Sequence, residues 1–90
     1  MRYKVGDGVR IRKDLESNNY YPYEGEVNDK LFFNSSMKKF CGKIGKITKV
    51  TDDELDEYLI SIDDGVWYYN NAMLMPAFGL SYLILLRKEI

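Results

Sequence analysis

The stretch that most restricts this chain is Gly42-Lys43-Ile44-Gly45-Lys46-Ile47-Thr48-Lys49-Val50. Paired glycines followed by β-branched residues alternating with polar ones specify a strand that enters through a tight bend and then twists sharply, since glycine accepts backbone angles closed to other residues. Such a strand belongs to a small curled sheet. Its partners are predicted in Tyr58-Leu59-Ile60-Ser61-Ile62-Asp63 and Val66-Trp67-Tyr68-Tyr69. Tyr58, Ile60 and Ile62 fall on one face and Leu59, Ser61 and Asp63 on the other, with Asp63-Asp64-Gly65 supplying the Asp-Gly pair that tight hairpins favour.

The remaining segments fit around this nucleus. From Tyr3 to Arg12, Val5, Val9 and Ile11 alternate with Lys4, Arg10 and Arg12, the period of a half-buried first strand, with a bend at Gly6-Asp7-Gly8. Residues 13–34 show no sustained period and contain Pro22, which predicts a long loop or arm, with Leu31-Phe32-Phe33 as a short strand or a latch. Asn34-Ser35-Ser36 offers side-chain acceptors ahead of Met37-Lys38-Lys39-Phe40, an N-capped single turn. The acidic run Asp52, Asp53, Glu54, Asp56 and Glu57 reads as a solvated hairpin loop, because its charges would repel one another if packed. Asn70-Asn71 caps a turn of helix through Ala72-Met73-Leu74, ended by Pro76. Tyr82 to Leu86 is uniformly apolar, and a closing strand is expected between Ser81 and Ile90, a candidate for pairing between copies.

A chain of 90 residues is one domain in which every apolar strand must serve the same core. The expectation is a single domain over 1–90 whose apolar end, from about 78 to 90, extends it as a strand. With 46% hydrophobic and 30% charged residues, the composition is that of an ordinary globular protein. The lone Cys41 rules out an internal disulfide and points to a reducing compartment, hence a cytoplasmic location. The first residues contain no apolar leader and no apolar run approaches spanning length, so neither secretion nor membrane insertion is expected. Net charge is −1, yet residues 1–50 carry eleven Lys/Arg against six Asp/Glu, and residues 51–90 carry two against eight. The halves form opposed faces, or interleave in the fold and cancel.

Three segments carry a resemblance: Val5-Gly6-Asp7 with Val9-Arg10-Ile11; Ser36 to Lys43 with Lys46-Ile47; and Tyr58, Ile60, Ile62-Asp63, Gly65, Trp67 and Tyr69. Together, over about residues 3 to 75, the chain resembles small SH3-like barrel proteins of bacteria and their phages, which are similar to the Mib/Herc2 module of larger eukaryotic proteins. The Gly42 to Val50 stretch also looks like a KOW element, which implies a competing nucleic-acid reading. The resemblance implies a mainly β fold, one barrel of about five strands with a long first loop and one or two short helical turns. It implies a module that binds protein segments without catalysis or cofactor, such as a phage-encoded regulator or inhibitor of a host protein, for instance a defence system. The contact groove it implies lies between the long first loop and the later hairpin, bringing Tyr20, Tyr21 and Tyr23 towards Trp67 and Tyr69.

The residues themselves narrow the chemistry. Histidine is absent, which removes Ser-His-Asp and Cys-His constellations. Cys41 has no evident general base and reads as a packed thiol. The acidic run lacks the glycine and terminal glutamate of a calcium loop, and no metal site is expected. Arg10, Arg12, Lys43, Lys46 and Lys49, with Lys13, Lys38 and Lys39, would make a basic stripe if they align, a surface for single-stranded nucleic acid with Tyr20, Tyr21 and Trp67 as stacking platforms. The net charge of −1 argues against that use. Eight tyrosines and one tryptophan exceed what one small core can bury with every hydroxyl satisfied, so several are expected at the surface as partner anchors.

Overall fold

The structure, a computed structural model, describes residues 2–25, 28–51 and 54–77. Among the described residues seven strands follow in order: β1 (Gly8–Ile11), β2 (Asn19–Pro22), β3 (Lys30–Phe33), β4 (Ile44–Val50), β5 (Glu57–Ile60), β6 (Tyr68–Asn70) and β7 (Leu74–Pro76). Three 3₁₀ turns interrupt them, at Ser35–Phe40, Ser61–Asp63 and Asn71–Met73. Five strands form an antiparallel sheet in the order β6-β5-β4-β1-β7, and β2 and β3 pair as a separate hairpin. The mainly β class and the barrel of about five strands stand as expected.

The sheet curls because β4 serves two partners. Its first residues face β1, with Ile44 opposite Arg10 and Lys46 opposite Gly8, and its later ones face β5, with Ile47 opposite Ile60 and Val50 opposite Tyr58. An extra residue between Ile47 and Lys49 bends the strand at the changeover, the effect of a β-bulge. Thr48 fills that step and donates its hydroxyl to the Leu59 carbonyl at 3.2 Å. Both glycines act as the sequence suggests, for different reasons. Gly42 has φ of +81°, a left-handed bend, and donates its N–H to the Ile11 carbonyl at 2.7 Å. Gly45 permits close approach, since a Cβ there would lie 2.9 Å from Ile60 Cγ2 and 3.3 Å from Ile62 Cβ.

Inside the curl, Val9 and Ile11 of β1, Ile47 of β4, Tyr58 and Ile60 of β5 and Tyr69 of β6 meet Phe33, Met37, Met73 and Leu74. Burial of this contiguous apolar set is the main favourable term in folding. The ring of Tyr3 meets Tyr58 edge-on at 5.6 Å, and the Tyr58 hydroxyl accepts from the Tyr3 N–H and donates to Asn71 Oδ1.

Several boundaries differ from the sequence reading. The first strand begins at Gly8 and not at Tyr3, because Gly6 turns at φ +93° and throws Val5 into solvent. Within 13–34 Leu31-Phe32-Phe33 forms the short strand expected, and the described residues add a partner for it: Tyr20 pairs with Phe32 and Tyr21 with Leu31 across the β2–β3 hairpin. Aromatic cross-strand pairs stabilise that arrangement without needing a period long enough to notice. Asn34 caps its turn as predicted, its Oδ1 accepting from the Met37 N–H at 3.1 Å. Asp56, expected in a solvated loop, is buried, its carboxylate accepting from the Glu24 and Asn71 N–H groups, both at 2.9 Å. β5 ends at Ile60 and its return strand starts at Tyr68, so no two-residue hairpin forms at Asp64-Gly65. Pro76 ends strand β7 and not a helix. The closing strand expected at 81–90 lies outside the described residues.

Gly45→Ala adds a methyl group where Ile60 and Ile62 already sit, and over-packing of this kind costs about 1–3 kcal/mol. Denaturant unfolding is expected to show that loss, whereas Gly8→Ala, whose added carbon meets only Ala77 Cβ at 3.4 Å, stays near wild type.

Candidate functional site

The segment after β5 is organised by a single carboxylate. Asp63 ends a 3₁₀ turn with its side chain directed inward, and it is 8% exposed. Oδ1 accepts from the N–H groups of Gly65 at 3.0 Å and Val66 at 3.3 Å. Oδ2 accepts from the Trp67 N–H at 3.2 Å and from the Tyr69 hydroxyl at 3.3 Å. Asp64 and Gly65 both take left-handed angles, φ 58° and 74°, which lets successive N–H groups converge on one acceptor. The Asp-x-Gly-x-Trp spacing is therefore the signature of a carboxylate-capped loop. Its consequence is that Val66 and Trp67 are presented from a fixed backbone.

Opposite this loop stands the capped turn Ser35–Phe40. In a 3₁₀ turn the side chains at i and i+3 eclipse, so Met37 and Phe40 share a side: Met37 enters the core and Phe40, half-buried, packs at its rim. Lys38 Nζ donates to the Leu15 carbonyl and ties the turn to the chain leaving β1. Between turn and loop runs a groove of about 490 Å³, with Ser36, Lys39 and Phe40 on one side and Ile62, Val66 and Trp67 on the other. Lys39 Nζ stands 5.2 Å from the centre of the Phe40 ring and Lys43 Nζ 6.0 Å, both within cation–π range. Asp63 and Asp64 complete the lining, Asp64 exposed. The groove thus combines an aromatic and aliphatic set, Phe40, Ile62, Val66 and Trp67, with Lys39 and the two carboxylates.

The expected site aromatics separate in the fold. Trp67 lines the groove. Tyr20 is 60% exposed on the outer face of the β2–β3 hairpin, its ring 4.9 Å from that of Phe32. Tyr21 is half-buried; its hydroxyl accepts from the Glu16 N–H at 2.8 Å and its ring meets Phe33 edge-on at 6.2 Å. Tyr23 is buried and donates its hydroxyl to Glu57 Oε2 at 2.6 Å, and Tyr69 is wholly buried on Asp63. Neither of these two rings presents a surface to a partner as the fold stands. The reason is an acceptor in reach of each hydroxyl, Glu57 for Tyr23 and Asp63 for Tyr69, which removes the cost of burying it.

The basic residues also divide. Arg10 and Lys46 share the outer face of the sheet, at neighbouring register positions on β1 and β4. Arg12 is held by Asp14 in a two-point contact at 3.1 and 3.2 Å. Lys43 stands over the Phe40 ring, and Lys49 borders a cleft with Thr48 and Leu59 beyond the bulge. The bulge and curl of β4 break up what reads in sequence as one stripe. Cys41 is packed against the core, and burial pushes its thiol up from the ordinary range. Among the described residues no group of His, Cys, Asp and Glu has the arrangement of a metal site, and no helix is long and apolar enough to cross a membrane.

Sequence reasoning missed Phe40, Ile62 and Val66. Phe40 alone carried a usable signal, its place three residues after Met37 in a capped turn.

A curled five-stranded antiparallel sheet with a long hairpin-bearing first connection and a 3₁₀ turn before its last strand is an SH3-like barrel. Residues 3–74 match the family model described as the Mind bomb SH3 repeat domain, and the chain belongs to that family. No curated protein and no solved structure matches it. SH3-like domains are in general protein-interaction modules.

Asp63→Ala takes the only acceptor from the Gly65 and Trp67 N–H groups and the Tyr69 hydroxyl, the Val66 N–H keeping the backbone carbonyl of position 63 at 3.3 Å, and is expected to cost about 3 kcal/mol, an unsatisfied buried group being worth about 1–3. As Trp67 is the only tryptophan, its emission should shift to the red in the folded variant as the loop loosens.

Burial, with a neighbouring carboxylate, raises the ionisation of Tyr69 and Tyr23 well above tyrosine's ordinary value of 10.0, and burial moves Tyr3 and Tyr58 upward from it. These groups keep their protons when the unfolded chain has lost them, so unfolding releases protons above pH 10 and their contribution is present below it. Melting temperature should fall as pH rises through and beyond that value, and Tyr69→Phe should flatten the fall.

Proposed function

We propose that this chain is a non-enzymatic protein-binding module that seats an extended segment of a partner in the Phe40–Trp67 groove. In keeping with the likeness of its segments to small barrel proteins of bacteria and their phages, it acts in the cytoplasm as a phage-encoded regulator or inhibitor of a host protein, by occupying that protein and not by changing it. The observation that carries this reading is the pairing of exposed apolar surface with rigid support. Val66 is 61% exposed, and its backbone N–H is fixed on Asp63. A contact surface that needs no ordering on binding loses less entropy when the partner arrives.

The chemistry of the groove selects the kind of segment. Phe40, Ile62, Val66 and Trp67 offer an apolar trough for one or two side chains, and Lys39 with Lys43 favours a carboxylate beside them. Tyr20 and Phe32, stacked on the hairpin, lie outside the groove lining and serve as the control position.

Immobilised protein is expected to retain a partner from host lysate, identified by mass spectrometry, and binding of the purified partner should alter Trp67 emission. Val66→Gln and Lys39→Glu, both at exposed positions, should weaken that affinity at least about tenfold, the loss of a good contact, while Tyr20→Ala leaves it unchanged. Equal affinity in the two groove variants would remove the assignment.

A further inference from the structure

A second surface lies on the convex side of the sheet and is independent of the groove. The register places Ile44, Arg10 and Met75 in one row across β4, β1 and β7, Arg10 lying directly opposite Ile44 on one side and Met75 on the other. All three point away from the core, since Val9 and Ile11, which alternate with Arg10, are buried. Ile44 is 49% and Met75 44% exposed, large apolar side chains left on the outside of a small protein. Arg10 has no ion-pair partner among the described residues, in contrast to Arg12, which Asp14 neutralises. Beside the row the outer positions are Lys46 and Gly8, the glycine bordered by Ala77. On the other side Arg10, Arg12, Lys13, Asp14 and Met75 line a shallow cleft of about 340 Å³, in which Asp14 is occupied by Arg12.

We propose that this row is a docking surface for an acidic, extended protein segment in which a carboxylate is flanked at alternate positions by apolar side chains. Alternate side chains of an extended chain point the same way and stand about 7 Å apart, so such a segment spans about 13 Å between its two apolar groups. Two strand spacings separate Ile44 from Met75 at backbone level, about 10 Å, and long side chains diverging from a convex surface cover the difference. The central carboxylate then meets the guanidinium of Arg10 in the two-point geometry that arginine favours, and Lys46 supplies a second attraction.

Charge selects the occupant. A run of apolar residues such as the chain's own Tyr82 to Leu86 has nothing to offer Arg10 and Lys46, and it carries Arg87 and Lys88 directly after it. Nucleic acid suits this face poorly, because its centre is apolar on both sides of one cation, no aromatic ring lies in the row for a base to stack on, and the protein's net charge is −1.

The test is a titration of the isotope-labelled protein, followed by backbone amide NMR, with a short peptide of the pattern Leu-Ser-Glu-Ser-Leu. Three parallel titrations use a scrambled peptide of the same composition, a peptide of the same pattern with glutamine for glutamate, and oligothymidylate. Saturating shifts centred on Gly8, Arg10, Ile44 and Met75 are expected, weakening with added salt. Arg10→Gln should reduce affinity at least about tenfold, as for loss of a charge-assisted pair, and Ile44→Ser with Met75→Ser about tenfold through lost apolar contact. Ile44 and Met75 are exposed and Arg10 is half-buried outside the core, and Val66→Gln, in the groove, should have no effect. Equal shifts from the scrambled or glutamine peptide, tighter binding of oligothymidylate, shifts centred on Trp67 instead, or no saturating shift at all would each overturn the proposal.

Discussion

Everything in this fold turns on how closely β4 and β5 approach at Gly45. The absence of a Cβ lets Ile60 and Ile62 sit where a side chain would otherwise stand, and immediately beyond it β4 changes partner from β1 to β5. One seven-residue strand thereby belongs to both halves of the sheet, and the bulge after Ile47 supplies the bend. A straight β4 would pair along its whole length with one neighbour and leave Tyr58, Ile60 and Tyr69 facing water. The curl converts a two-sided ribbon into a vessel, whose inner face is the core and whose rim carries the groove.

A small core of this kind leaves little stability to spare, and the connections are fixed by polar clamps. Asp63 gathers four donors around the β5–β6 connection. Asp56 joins the end of the β2–β3 hairpin to the last 3₁₀ turn, and Asn70, fully buried, donates through Nδ2 to the carbonyls of Tyr21 and Pro22. In each case a short side chain accepts from or donates to backbone groups that would otherwise be buried without a partner. These contacts explain why the long first connection is a docked hairpin. They also explain why the apolar residues it exposes, Tyr20 and Phe32, are confined to its outer face.

The same clamps decide which aromatics remain available. Tyr23 and Tyr69 are drawn inward by Glu57 and Asp63, whereas Trp67, whose N–H is held by Asp63, packs half-buried against the core and lines the groove. Membership of the Mind bomb SH3 repeat family accounts for the barrel, and a fold by itself does not fix what its surface binds. In this chain the rim combines aromatic groups with lysines, and the convex sheet adds an arginine between two apolar side chains.

The sequence by itself determined the elements whose cause is local. The Gly42 bend, the Asn34 cap, the β4 strand and the inward faces of β1 and β5 all follow from backbone freedom, side-chain acceptors and alternation within a few residues. Even the pairing of Asp63, Gly65 and Trp67 was visible, although as a tight hairpin and not as a carboxylate-centred loop. Only the tertiary structure decided where the tyrosines go, because a phenol is equally at home in a core or at an interface and its fate depends on an acceptor from a distant segment, Glu57 for Tyr23 or Asn71 for Tyr58. It also decided the site: Phe40 and Trp67 are far apart in the chain and share a groove because β4 curls, and Arg10 stands between Ile44 and Met75 through a register that no single segment encodes.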